Sequence, residues 1–389
     1  MKLFKRNIVR SAERSRRSPT PLREKRSQST LSRQLWQFTG SAILNLVVFA
    51  LVAAYLSPLL YMFVTSVKIG KQLEDIQAPL YPAVNPQYNY KGVDYSVMGV
   101  PIAGEMKEWA LITPRRTYAE FIDPQNPGAG LIHWDGNWRA LKKIYKFNAS
   151  FEVFTGLWSA ANIPLVMINT LLIAAISEIG VLLSSIAVAY GFSRFRIPGG
   201  KWLFFLLIST ILIPDIATLI PTYLTFTHLI NWLTDAAASW QLPFSIPWVW
   251  LPLIAPHFFS SAILVFLLRQ NFRSIPRDLD EAAMLDGAGP LRILIWVILP
   301  QSIPVIATVA MLHFFYIWNE IRHASLYLGT SPALQTISFK LQSAPTLPGV
   351  SQEATLQASA LLLLIVPAAV LFIFQRFFMQ DMVVTGQEK

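Results

Sequence analysis

Residues 273–292 read Arg273-Ser-Ile-Pro-Arg-Asp-Leu-Asp-Glu-Ala-Ala-Met-Leu-Asp-Gly-Ala-Gly-Pro-Leu-Arg292, and the chain runs on to Ile298-Leu299-Pro300. The pattern predicts two short helices with a break. Asp278 or Asp280 suits the first helix N-terminus, where a carboxylate caps free N–H groups and complements the dipole. Ala282 and Ala283 favour helix and keep its surface flat. Gly287 stops it, because glycine accepts the left-handed conformation of helix ends. Pro290 suits the first turn of the second helix, and Pro300 limits it. Isolated helices this short are marginal in water. The hairpin needs a partner, and a grooved cytoplasmic protein would provide one.

The flanking sequence gives the fold class. Hydrophobic residues make up 53% of the 389 residues and charged residues 14%, against about 25% charged in an ordinary soluble domain. The apolar excess sits in blocks as long as a bilayer is thick. Six segments qualify as spans: Ala42–Val64, Ile163–Tyr190, Trp202–Tyr223, Trp248–Leu268, Ile303–Ile321 and Leu356–Met379. The fold class is therefore an all-α integral membrane protein. Pro58, Pro214, Pro252, Pro256 and Pro367 fall in these spans and predict kinks. Ala174, Ala175, Ser177, Gly180, Ser184, Ala187 and Gly191 let neighbouring helices approach closely, so the second span belongs at a helix–helix interface. The first span is too long, and starts too late, for a plain cleavable signal.

Charge sets the expected orientation. Eleven of the 32 Lys and Arg lie in residues 1–33, a basic tail (1–40) too polar to bury a core. Next to a span, such a tail reads as a retention signal at anionic lipid rather than a nucleic-acid arm. The short inner flanks hold Arg194, Arg196, Lys201, Arg269, Arg273, Arg277, Arg292, Arg376 and Lys389, and the short outer loops only Arg322 and Lys340. Both termini (the last being 380–389) are expected inside. Residues 65–162 are polar, aromatic and Pro/Gly-punctuated, and read as a small outer lobe with some strand content, since a structureless loop of that length is uncommon.

At the hairpin a resemblance becomes specific. Glu281-Ala282-Ala283, three residues, Gly287, nine residues and then Val297-Ile298-Leu299-Pro300 resembles the coupling loop of ABC-importer permeases, with Val297 at that pattern's Ile position. Asn169-Thr-Leu-Leu, Ala189-Tyr-Gly-Phe-Ser-Arg-Phe-Arg, Pro198-Gly-Gly, Phe266-Leu-Leu-Arg-Gln, Ser274-Ile-Pro, Trp318-Asn319 and Gln375-Arg-Phe-Phe are similar to the carbohydrate-importer branch, nearest its smaller, six-span permeases. The basic tail and residues 65–162 depart from it. The resemblance implies a six-helix, MetI-like permease core (163–379) with a coupling loop at 269–300. It implies three kinds of partner: a second permease, an ABC ATPase dimer that binds ATP and Mg, and an extracytoplasmic solute-binding protein. No cofactor is expected on this chain and no enzyme activity of its own. The ATPase-coupling residues would be Asp280, Glu281, Ala282, Ala283, Leu285, Asp286, Gly287 and Pro300, with Glu281 meeting a basic residue of the ATPase.

The remaining candidates are weaker. The chain has no G-x-x-x-x-G-K-[ST] phosphate loop. It has no cysteine, which removes disulfides, thiolate metal sites and thiol chemistry. Glu178 and Asp215 fall inside spans, where acids are costly and mark function or pairing. They read as paired at a subunit interface or watery cavity, or as a proton relay. Asn319 and Glu320 border the outer end of the fifth span and could line the pathway; beside them Trp318 fits an interfacial belt equally well. His133, His228, His257, His313 and His323 show no metal-ligand spacing. Trp134, Trp138, Trp232 and Trp240 could stack on sugar or pack their loops. The expected function is import of a carbohydrate or polyol. The alternatives are a permease for a non-sugar solute and a proton-coupled carrier.

Overall fold

The computed structural model describes residues 30–102, 104–239, 247–343 and 347–385; the basic tail up to residue 29, Trp240 and Lys389 lie outside them. The chain divides into two units, 1–60 and 61–389. The described part of the first belongs to one long helix, α1 (Thr30–Ser66), whose apolar side chains stay exposed: Phe49 by 74% and Tyr55 by 82%. A helix so apolar with so little buried is built for lipid.

The second unit begins with an antiparallel sheet rather than a loop. Its strands are β1 (Ala83–Val84), β2 (Gln87–Tyr90), β3 (Val93–Ile102), β4 (Glu105–Pro114), β5 (Tyr118–Ile122), β6 (Ile132–Asp135), β7 (Lys142–Lys143) and β8 (Lys146–Phe147). β2 to β6 form a meander, β7 adds to β3, and β1 pairs with β8. Lys91 and Gly92 both have positive φ (52° and 83°) between the paired Tyr90 and Val93, the two-residue turn whose twist matches that of its strands. The period of two places Met98, Trp109 and Phe121 on one face and Val97, Ala110 and Ile122 on the other, and both sets are buried. Strand content thus exceeds the sequence expectation. Asp75 ties the chain entering the lobe to the sheet by accepting hydrogen bonds from Lys143 Nζ and Tyr145 Oη, each at 2.5 Å.

Helices follow: α2 (Glu152–Ala160), α3 (Ile163–Arg194), α4 (Gly200–Leu212), α5 (Asp215–Ser239), α6 (Ala262–Ser274), α7 (Asp278–Leu285), α8 (Pro290–Gln301), α9 (Ile303–Trp318), α10 (Arg322–Leu328), α11 (Ile337–Gln342) and α12 (Gln352–Thr385). Among the described residues, four stretches are long and apolar enough to cross a membrane: 41–66, 163–194, 248–274 and 352–377. Two bent pairs, α4 with α5 and α8 with α9, bring the number to six if each is one span.

The expected span Trp202–Tyr223, with its predicted kink at Pro214, is one of these pairs, turning by 93° between Leu212 and Asp215. Pro214 explains the break, since it lacks an N–H and holds Ile213 in an extended conformation (ψ 116°). The expected span from Ile303 ends earlier, at Trp318, with Asn319 as its cap.

The long helix α3 is the spine of the core. Its buried positions, from Val166 through Ile173, Ser177 and Val181 to Ala189, recur every three or four residues. Three clusters are strung along them. Val153, Leu157 and Trp318 pack at its start, Leu253, Ile317 and Leu328 in the middle, and Leu264, Leu268, Phe272 and Ile298 at its end. Of the small residues, Ala174, Ser177 and Gly180 are buried in this interface, whereas Ala175 and Ala187 face outward. A Cβ on Gly180 would lie 2.5 Å from the Phe258 ring, so the glycine is what lets that ring cross the helix. The Asn169-Thr170 pair has a mechanical role. Asn169 Nδ2 donates to the carbonyls of Ala333 (2.9 Å) and Gln335 (3.1 Å), and Thr170 Oγ1 accepts from the N–H of Ile337 (2.8 Å). These bonds pin a loop that would otherwise bury free backbone groups.

Candidate coupling site and polar core

The hairpin forms as its sequence predicts, with one side chain reassigned. Helix α7 carries Asp278, Asp280 and Glu281 in its first turn, where their charge suits the dipole, yet no side chain caps it. Its end is a two-bond glycine cap. The N–H of Ala288 donates to Ala283 O at 2.9 Å, that of Gly287 to Met284 O at 3.0 Å, and Gly287 has φ 79°. Helix α8 starts at Pro290 and widens into a π-turn over Leu294–Ile298. Pro300 has no N–H to bond Trp296, and a π-turn is how a helix absorbs such a mismatch. The chain then bends by 83° into α9.

One face of the hairpin is locked to the end of α3. Asp280 faces inward, and its Oδ2 lies 2.9 Å from Arg194 Nε, both side chains being at least nine-tenths buried. Arg194 Nη2 also donates to Ile275 O at 3.2 Å, and Tyr190 Oη donates to Pro290 O at 2.9 Å. The Ala189–Arg196 stretch therefore holds both helices of the hairpin, one through Arg194 and the other through Tyr190. Asp280 is a structural anchor and not part of the outward face; sequence alone gave no partner for it, because Arg194 is far away in the chain.

The opposite face is bare. Glu281, Ala282 and Asp286 are exposed, with Leu279 exposed by 41%, Met284 by 58%, Leu285 by 90%, Leu291 by 69% and Trp296 by 75%. An open cleft of about 440 Å³ between the helices is lined by Ala283, Asp286, Ala288, Arg292, Trp296 and Val297. Apolar groups concentrated on so short a segment mark an interaction site.

The structure also assembles a polar core that spacing could not reveal. Glu178 sits midway along α3. Its Oε2 lies 2.8 Å from His313 Nδ1, and His313 Nε2 lies 3.1 Å from His257 Nδ1. The two histidines are in different spans, so no local motif links them. The available signal was cost: three ionisable groups inside apolar segments demand partners. Asp215 stands past the α4–α5 bend, exposed, with Oδ2 4.0 Å from Arg322 Nη1. Glu320 pairs with His323 at 3.3 Å. Asn319 is exposed and donates only to Phe315 O. Trp318 is fully buried, stacked on Phe314, with its Nε1 donating to Leu363 O, so the interfacial-belt reading is corrected. Trp134 packs edge-on against Phe121, and Trp138 Nε1 donates to Arg115 O. Among the described residues no three His, Cys, Asp or Glu are grouped to hold a metal.

Known proteins place this arrangement. The chain is 30% identical over 213 residues to the osmoprotective compounds uptake permease of Synechocystis, covering 55% of this chain and 66% of that one. It is 29% identical over 246 residues to the melibiose/raffinose/stachyose import permease of Bacillus subtilis (61% and 80%). It is 30% identical over 224 residues to the sn-glycerol-3-phosphate transport permease of Yersinia pestis (56% and 72%). A solved bacterial ABC transporter that imports the polysaccharide alginate shares the fold, with a TM-score of 0.55 at 17% identity over 92% of this chain and all of that one. Residues 180–384 match the model of the binding-protein-dependent transport system inner membrane component. The hairpin and most of the helical core lie within that match, and the chain belongs to this family of multi-pass inner-membrane permeases.

Proposed function

We propose that this chain is one of two transmembrane subunits of an ATP-driven importer, and that its solute is a carbohydrate or related polyol handed over by a solute-binding protein. The hairpin carries the reading: one face is fastened to α3, and the other offers apolar groups around Glu281 to a separate ATPase. Closure of ATPase subunits on ATP would push the hairpin, and the Arg194–Asp280 and Tyr190–Pro290 contacts would pass the displacement to α3. This is a two-state element biased by ATP. Lys and Arg bias supports a topology with the hairpin and both termini in the cytoplasm and the β lobe outside. The import activities named for the relatives support the solute class.

The test is co-purification followed by uptake. The chain is expressed with its partner permease and ATPase, as wild type and as Glu281→Ala/Gly287→Pro, and reconstituted with binding protein and radiolabelled melibiose, raffinose or glycerol 3-phosphate. The expected result is ATP-dependent uptake by wild type, lost together with ATPase association in the variant. Uptake that persists without any ATPase would favour the second reading, a proton-coupled carrier, for which the Glu178–His313–His257 chain is the supporting observation.

A further inference from the structure

The core histidines form the inner end of a longer polar strip. The His257 and Tyr316 rings are 6.0 Å apart. Glu320 follows Tyr316 by four residues and pairs with His323 at 3.3 Å. From His313 to Trp318 α9 climbs about 7 Å, at roughly 1.5 Å per residue, and Glu320 lies just past its cap. It starts midway along α3 and ends at an exposed ion pair, Asp215–Arg322.

Two features say what this strip faces. Charged side chains within spans face the bundle interior or a watery cavity, not lipid. The backbone agrees. The stretch 248–274 loses its α-helix over Ala255–Phe259, Ser260 has φ 67°, and α6 restarts at Ala262. Non-helical backbone at membrane depth is tolerated only against protein or a water-filled cavity. His257 lies on that broken turn, beside Pro256 and Phe259, which are exposed within this chain.

The hydrogen bonds decide what His257 offers. With neutral rings, His313 Nδ1–H donates to the Glu178 carboxylate. His313 Nε2 then carries the lone pair and accepts from His257 Nδ1–H. His257 Nε2 is left as an acceptor, because the hydrogen bond at one ring nitrogen sets the state of the other. No described residue hydrogen-bonds that nitrogen, the Tyr316 hydroxyl or the Arg322 guanidinium. The strip therefore presents an acceptor and a hydroxyl on neighbouring rings, with the Asp215-paired Arg322 at its outer end, a set suited to a polyhydroxylated molecule.

Resting on the importer reading above, we propose that His257, Tyr316 and Arg322 contact the solute directly, with Glu178 and His313 as positioning residues that fix the His257 tautomer. This chain then supplies its own recognition surface along the route and does not leave it to the partner permease.

The test uses the complete importer in liposomes with loaded binding protein at saturation and the same three probes. Tyr316→Phe removes one hydroxyl from a half-exposed ring and leaves the fold unchallenged. His257→Phe removes the acceptor, and His257→Gln retains one. The expected result is a loss of about tenfold in uptake rate for His257→Phe and for Tyr316→Phe, the scale of one hydrogen bond. His257→Gln recovers most of it, and co-purification of the ATPase with each variant verifies that the complex is intact. If the wild type carries a probe and both Phe variants carry it equally fast, the strip is not a solute surface and the importer reading stands. If the intact wild-type complex carries none of the probes, the carbohydrate reading fails and this proposal with it.

Discussion

The 278–301 hairpin and the β lobe are both polar insertions between apolar spans, yet they are built in opposite ways. The lobe closes on itself. Its sheet buries side chains on both faces, and its aromatic residues Trp109, Phe121 and Trp134 pack against one another. The hairpin is finished on one side only. Asp280 and Tyr190 fasten its inner face, while Leu285 and Trp296 are left outward. A segment that completes its own core has no physical need of a partner, whereas one that leaves large apolar groups bare has its missing half elsewhere.

The largest effect expected from breaking this contrast is at the anchor. Asp280→Ala leaves Arg194 buried and unpaired, a loss of about 3 kcal/mol or more. Thermal unfolding of the detergent-purified chain checks it, and the double substitution Arg194→Met/Asp280→Leu should recover much of the loss. Next is the spine. Gly180→Ala places a methyl group against the Phe258 ring and should cost about 1–3 kcal/mol, with the turn carrying His257 displaced. A smaller effect belongs to the glycine cap. Gly287 has open space around its missing Cβ, so Gly287→Ala costs only the left-handed backbone, about 1 kcal/mol. Its ATPase association should weaken while the melting temperature barely moves.

The smallest effect is in the lobe. Burial pushes the Asp75 carboxyl up, but hydrogen bonds from Lys143, Tyr145 and the Gln77 N–H outweigh it and hold it below its ordinary value. A depressed folded-state carboxylate stabilises above its unfolded pKa, and that contribution is lost as pH falls through the folded value. Hydrogen exchange in β7 and β8 should therefore speed up below the ordinary carboxylate range. Asp75→Asn should abolish that pH dependence while ATPase association stays intact.

The sequence made the hairpin readable because each residue there answers a local demand: a left-handed turn at Gly287, a proline start at Pro290, a helix stop at Pro300. The spans were readable because lipid demands length and apolarity. What escaped was relational. Pro214 signalled a kink but not a turn of 93°, and the bend at 301–303 needs both halves of its span to be seen. Asp280 reads locally as a coupling or capping residue, and only its contact with the distant Arg194 shows it to be an anchor. His257 and His313 looked unremarkable singly. The lobe's strands were blurred because a sheet buried on both faces loses the polar–apolar alternation that betrays a strand, although the Lys91-Gly92 turn was a usable signal.

The bare face of the hairpin should be covered by an ATPase. The chain has no cysteine, so Leu285→Cys gives a single thiol at the most exposed point of that face, and Leu131→Cys gives a control on the lobe, where Leu131 is 46% exposed. Maleimide labelling rates are measured for each, with and without the assembled ATPase. The ATPase should protect position 285 strongly and leave position 131 unchanged. Equal labelling of Leu285→Cys in the presence and absence of a bound ATPase would contradict it.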